Sequence, residues 1–260
     1  MNSHFVFHLK STSSLEKALE ELHFIRHLYC VEDAESGMTL LGGWSSNPLP
    51  YELNHVVFSH LAEDDIDWTA QWEQHAPSYR NGLVHIELLP PALELLLQPG
   101  AGFGDLSHPT TRLMLAIIPS YASNSSTIDI GCGSGVLSLA AIRYGAECAI
   151  GIDIDAAAIQ HAQKNAELNH LSSRVLFTDT LTHPPSGPLL ILMNMISSEQ
   201  EVAWSACSIL HDRPATIITS GIPLNERDHY LTCIAHRQWE LCEERQEEEW
   251  LAFRFLTLNS

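Results

Sequence analysis

Positive charge is scarce in this chain: 13 lysines and arginines face 32 aspartates and glutamates over 260 residues, a formal net charge of −19. A surface of that sign repels phosphate backbones, so direct binding of nucleic acid is not expected. The same field would attract a basic partner and speed a cationic substrate, although acidity also serves solubility alone. No run of 18 or more apolar residues occurs, so no membrane-spanning helix is expected. The opening MNSHFVFHLK is too polar for a secretory signal, which makes the cytoplasm the expected location. Six cysteines (Cys30, Cys132, Cys148, Cys207, Cys233, Cys242) form no CxxC pair, and the histidines form no HExxH. Neither a disulfide framework nor a metal site is expected. The cysteines read as reduced, mostly buried small hydrophobes. Internal repeats and low-complexity stretches are also lacking.

What is present reads as two parts joined by a linker. Residues 1–60 form a small α+β module: FVFHL, FIRHLYCV, MTLLGGW and HVVFSHL are strand-like, and SSLEKALEELHF (13–24) has apolar residues at helical spacing. A unit this small is marginal alone. Residues 61–82 form a helical linker, in which Trp68 and Trp72 lie one turn apart and read as a buried pair rather than a ligand-stacking one. Over 83–260 the apolar runs STIDI, CAIGI, RVLF, LLILM and ATIITS alternate with helical patterns. That alternation predicts a doubly wound, Rossmann-like α/β domain with a mostly parallel sheet. WELCEERQ and WLAFRFLTL have no helix between them and add an antiparallel edge hairpin, for seven strands in all. Asp155 and a Ser198-x-x-Glu201 capping box are expected to open two of the helices, and Gly145 to end another.

Chemistry concentrates where strands end. IDIGCGSG runs from a buried strand into Gly131, Gly133 and Gly135, and a helix follows. Glycines there let a ligand lie on the backbone before free helix N–H groups. The GxGxG spacing is one residue shorter than the dinucleotide pattern, which disfavours a nicotinamide-dependent oxidoreductase. Asp153 ends the next strand, where a carboxylate can accept ribose hydroxyls. Asp179 ends the third strand, to face an adenine amino group or merely cap a loop. Asn194 closes the fourth apolar run. Ligands of open α/β sheets bind along this edge.

The DxGCGSG signal resembles the nucleoside-binding signature of class I S-adenosylmethionine-dependent methyltransferases. QPGAGFGDLSHPTTRLMLAII, just ahead of it, is similar to DPGxAFGTGxHPTT of the PrmA-type ribosomal-protein methyltransferases. The likeness runs from about residue 64 to the C-terminus and extends weakly upstream. It implies S-adenosylmethionine as cofactor, bound on the turn that carries Gly131 and Gly133, with Thr111 contacting it, Gly131 beneath its methionine part, Asp153 on the ribose and Asn194 beside the methyl. It further implies a basic protein substrate, a large-subunit ribosomal protein, chosen by the N-terminal module and methylated on lysine or N-terminal amino groups. Thr111 also suits a helix N-cap, and His108 reads as a hydrogen-bonded structural histidine rather than a base. No NPPY motif is present, which favours amines over planar amide nitrogens as acceptors. Two departures stand out. The family's FGTG is here Phe103-Gly104-Asp105-Leu106, where Asp105 either rejects the cofactor carboxylate or attracts a cationic amine, and its Asn-Ile is Asn194-Met195. They leave open a non-catalytic cofactor-binding interaction protein, or a methyltransferase with a different substrate.

Overall fold

The computed structural model describes residues 3–10, 17–18, 22, 26–32, 39–45, 53–61, 69, 73, 76, 78–88, 93–100, 102–104 and 108–257. They fall in two compact units, Met1–Asp67 and Trp68–Ser260.

The first unit is an antiparallel sheet of β1 (Ser3–Leu9), β2 (Arg26–Glu32), β3 (Thr39–Ser45) and β4 (Val56–Leu61), in the order β2-β3-β1-β4. All four segments read as strands do form strands. Alternation along β1 turns Phe7 fully inward, where it packs with Ala18, Leu22, Leu53 and Val56. The helix expected over 13–24 is described only at residues 17, 18 and 22. The linker tryptophans Trp68 and Trp72 lie outside the described residues.

The second unit opens with a small sheet absent from the sequence reading: β5 (Tyr79–Arg80), β6 (Leu83–Leu88) and β7 (Leu93–Leu97). Val84, Ile86 and Leu88 alternate inward, opposite Leu95 and Leu97. Its main sheet contains β8 (Ser126–Ile130), β9 (Cys148–Ile152), β10 (Val175–Thr178), β11 (Leu189–Asn194), β12 (Ala215–Pro223), β13 (Trp239–Glu247) and β14 (Trp250–Thr257). The order is β10-β9-β8-β11-β12-β14-β13. Strands β8 to β12 are parallel, while β13 and β14 form the expected antiparallel edge hairpin. This is the Rossmann-like, seven-stranded class I arrangement.

The helices are α1 (Pro109–Ile117), α2 (Val136–Arg143), α3 (Ala156–Leu168), α4 (Ser197–Ala206) and α5 (Arg227–Ile234). Residues of α1, α2, α3 and the small sheet share one apolar core, and those of α4 and α5 share a second with the hairpin. Every residue of β8 is buried, as a central parallel strand requires.

Helix ends test the capping arguments individually. Asp155 caps α3, accepting the Ala157 N–H at 2.9 Å. Gly145, at φ +100°, ends α2 while Ala146 N–H reaches back to Ala141 O at 2.9 Å. The Ser198 capping box does not form: the cap of α4 is Ile196, so Ser198 lies inside the first turn. The earlier start is set by Gln200, whose buried amide donates to Met195 O at 2.8 Å and Ser220 O at 3.0 Å. Cysteine burial is mixed rather than general, since Cys132 and Cys207 are buried but Cys233 and Cys242 are exposed on α5 and edge strand β13. Among the described residues no helix is long and apolar enough to cross a membrane, and no cluster of three or more potential metal ligands occurs.

Candidate functional site at the carboxyl edge of the sheet

Strand order reverses between β8 and β11, since β9 and β10 extend the sheet one way and β12 the other. Such a switch opens a crevice at the carboxyl ends of the strands. Four candidate residues lie at those ends: Gly131, Asp153 and Asp179 directly follow β8, β9 and β10, and Asn194 is the last residue of β11.

The turn after β8 is made by glycines that a side chain would obstruct. Gly131, Gly133 and Gly135 all have positive φ, at 74°, 53° and 80°. A Cβ on Gly133 would come within 2.8 Å of the Phe103 carbonyl oxygen, and one on Gly135 within 2.7 Å of the Phe177 ring. Asp153 holds the turn by accepting the Gly133 N–H on Oδ2 at 2.9 Å and the Asp155 N–H on Oδ1 at 3.0 Å. The residue is half-buried, and a carboxylate can accept several hydrogen bonds at once. Asp179 is exposed beyond β10, and the loop there is held by Thr178 Oγ1, which accepts the Thr180 N–H at 3.4 Å. Asn194 is half-buried at the last position of β11.

Thr111 is not the helix cap. His108 takes that place: its Nδ1 accepts the Thr110 N–H at 3.3 Å and bonds the Thr110 hydroxyl at 2.8 Å. The ring of His108 meets Phe103 and Trp250 edge-on, with centroids 5.6 and 4.6 Å apart. Thr111 therefore lies within the first turn of α1, fully buried, and its hydroxyl oxygen has no hydrogen-bond partner among the described residues. Asp105 and Leu106 lie outside the described residues. The bare face of Gly131 is covered by Met195, whose Cε would lie 2.2 Å from a Cβ built there. That methyl is the free end of an unbranched side chain, so a rotamer change uncovers the glycine.

One buried carboxylate underlies the turn. Asp129 Oδ2 accepts from the Ser138 N–H at 3.0 Å and the Ser138 hydroxyl at 2.7 Å, while Oδ1 is buried with no hydrogen-bond partner among the described residues. Burial pushes its pKa up to about 6; the Ser138 hydrogen bonds oppose this and the Asp153 charge adds to it. Between about pH 4 and pH 6 the folded state therefore binds a proton that the unfolded chain has released. Stability contributed at this site falls as pH rises through that window, by about 3 kcal/mol. Urea unfolding should show Asp129→Asn gaining about that much on the unaltered protein between pH 4 and pH 7. A gap that stays constant with pH would exclude an ionised Asp129 as its source.

Comparison with known proteins bears on what this crevice serves. The family model described as ribosomal protein L11 methyltransferase (PrmA) matches residues 16–257, nearly the whole chain. The chain belongs to that family. A ribosomal protein L11 methyltransferase from Erwinia tasmaniensis is 30% identical over 236 residues, covering 84% of this chain and 77% of its own length. One from Dechloromonas aromatica is 40% identical over 154 residues, covering 58% and 50%. Against most of these curated relatives the chain spans about half to three fifths of their length. The solved ribosomal protein L11 methylase from Lactobacillus delbrueckii subsp. bulgaricus shares the fold, with a TM-score of 0.52 at 24% identity, over 61% of this chain and 82% of that one.

In this member of the ribosomal protein L11 methyltransferase family, two sets of positioning side chains escaped the sequence reading. Gln200 ties the corner after Asn194 to β12 and receives the buried Tyr230 hydroxyl at 2.8 Å. His161 and Asn165, on α3, bind backbone groups of residues 98, 102 and 134. A glutamine within an otherwise polar first turn gives no periodic signal. The α3 pair was legible only as polar residues on a stripe of alanines.

Proposed function

We propose that this chain is an S-adenosylmethionine-dependent methyltransferase that methylates lysine or N-terminal amino groups of ribosomal protein L11 in the cytoplasm. The family match over residues 16–257 carries the reading. Methyltransferases of this family use S-adenosylmethionine, which supplies an electrophilic methyl on sulfur. The crevice residues fit it: Asp153 is a carboxylate at the place where ribose hydroxyls would lie, Gly131 offers backbone covered only by the movable end of Met195, and the Thr111 hydroxyl is a buried polar group with no hydrogen-bond partner among the described residues. In this reading Asp179, exposed at the end of β10, faces the adenine.

The acceptor amine must arrive neutral, roughly 3 Å from the methyl carbon and in line with the leaving sulfur. Asn194 orients it by accepting a hydrogen bond from the amine on its side-chain oxygen. Exclusion of water from around the bound amine favours its unprotonated form. No general base is assigned. The N-terminal unit, with its separate core, selects the protein substrate in this scheme. A basic substrate suits the net charge of −19.

Methyl transfer from labelled S-adenosylmethionine to purified ribosomal protein L11 tests the reading. Label appearing only in RNA or small molecules would sink it. A companion measurement isolates Thr111. Thr111→Val removes a buried, unpaired hydroxyl at nearly constant volume, so stability should hold or rise by up to about 1 kcal/mol. Affinity for S-adenosylhomocysteine should nonetheless fall about tenfold, as one lost hydrogen bond implies. Unchanged affinity by calorimetry would remove Thr111 from the site.

A further inference from the structure

One segment lies directly on the glycine-rich turn. Ser134 N–H donates to Phe103 O at 3.0 Å, and a Cβ on Gly102 would come within 2.4 Å of Ser134 N. What keeps that segment in place is the inward face of α3. His161 Nδ1 accepts the Gly102 N–H at 3.0 Å, and its opposite nitrogen, Nε2, donates to Gln98 O at 2.7 Å. Gly100 lies flat against the same ring, where a Cβ would come within 2.5 Å. Four residues on, Asn165 accepts the Gln98 N–H at 2.9 Å and donates to Ser134 O at 2.9 Å. Four further, Asn169 accepts the Leu96 N–H at 2.9 Å and donates to Leu96 O at 2.6 Å. Spacing of four places all three on one helix face. They pair with an extended backbone much as a neighbouring strand would.

We propose that His161 is a positioning residue for cofactor binding, latching the segment that bears Gln98, Gly102 and Phe103 onto the glycine-rich turn. The inference rests on the cofactor reading given above. The imidazole serves only in one state: neutral, with the proton on Nε2, so that Nδ1 can accept. Burial lowers its pKa and holds it there, and Lys164 adds in the same direction. With the latch closed, the Phe103 carbonyl occupies the Ser134 N–H and the turn keeps one shape. With it lost, the segment and the turn must be ordered again each time the cofactor binds, and that ordering weakens affinity.

Calorimetry with S-adenosylhomocysteine on the full chain tests this. His161→Ala should weaken binding tenfold or more. His161→Asn, whose side-chain oxygen can replace Nδ1 as acceptor for Gly102, should recover to within about threefold of the unaltered protein. A structural role alone would lower the melting temperature of both variants and leave their affinities equal, and that result overturns the proposal. Should His161→Ala not fold, hydrogen exchange of the unaltered, ligand-free protein decides instead. The Gly102 and Ser134 amides should be protected, and exchange at the rate of open loops would overturn it. If the unaltered protein does not bind S-adenosylhomocysteine at all, the cofactor reading fails first and takes this inference with it. Binding that is unaffected in His161→Ala defeats the latch alone.

Discussion

Asp153→Asn is expected to weaken S-adenosylhomocysteine binding about 100-fold, close to 2.7 kcal/mol, in calorimetric titration. Two effects combine. The carboxylate accepts the Gly133 and Asp155 N–H groups and sits where ribose hydroxyls would donate to it, and hydrogen bonds to a charged acceptor are worth about 1.5–3 kcal/mol each. An amide in its place would lose the charge and also turn an N–H towards one of those backbone N–H groups. The glycine turn would then lose a tether as well as its partner for the sugar. A dissociation constant within threefold of the unaltered protein would show that Asp153 holds the turn without touching the ligand.

Gly221→Ala should be the most damaging glycine substitution for the fold, costing about 3 kcal/mol or more in urea unfolding. Gly221 has φ +88° at an irregularity of β12, where register with β14 shifts between Ser220 and Ile222. A methyl there would come within 2.4 Å of Met195 O and 2.6 Å of Met195 C. Both are backbone atoms, so no rotamer change relieves the clash. The corner it would displace is the one Gln200 ties down beside Asn194, so ligand binding should suffer with stability. Gly187 supplies the control: its φ of +89° is equally demanding, yet nothing lies within 4 Å of its missing Cβ. Gly187→Ala should therefore cost no more than about 2 kcal/mol, the backbone effect alone. Equal losses at the two positions would show that the crowding at Gly221 contributes nothing.

Much of the second unit was legible because its signals are local and repeated. Five short apolar runs separated by helical stripes admit few arrangements other than a doubly wound sheet, and the lack of a helix between residues 239 and 257 forces the hairpin. Asp155 and Gly145 were legible for the same reason, since a cap needs only its neighbours. Readings failed where a distant group competed. Ser198 looked like a cap, but Gln200 binds carbonyls of Met195, just after β11, and of Ser220 on β12, and the helix starts earlier, with Ile196 as its cap. Thr111 looked like another, but the helix begins at Pro109, where His108 caps it. The β5–β7 sheet was missed although Val84, Ile86 and Leu88 alternate with His85 and Glu87, because its partner LELLL carries too little alternation to be read apart from a helical stripe.

From its residues alone the chain specified a parallel sheet, a glycine-rich turn after β8, and an acid at the end of β9, since each depends on backbone preferences within a few positions. Tertiary structure decided what those features meet: Met195 over Gly131, Phe103 on Ser134, the unpaired Thr111 hydroxyl, and the α3 ladder from His161 to Asn169. These contacts join residues tens of positions apart, and close packing alone selects which partner each polar group finds.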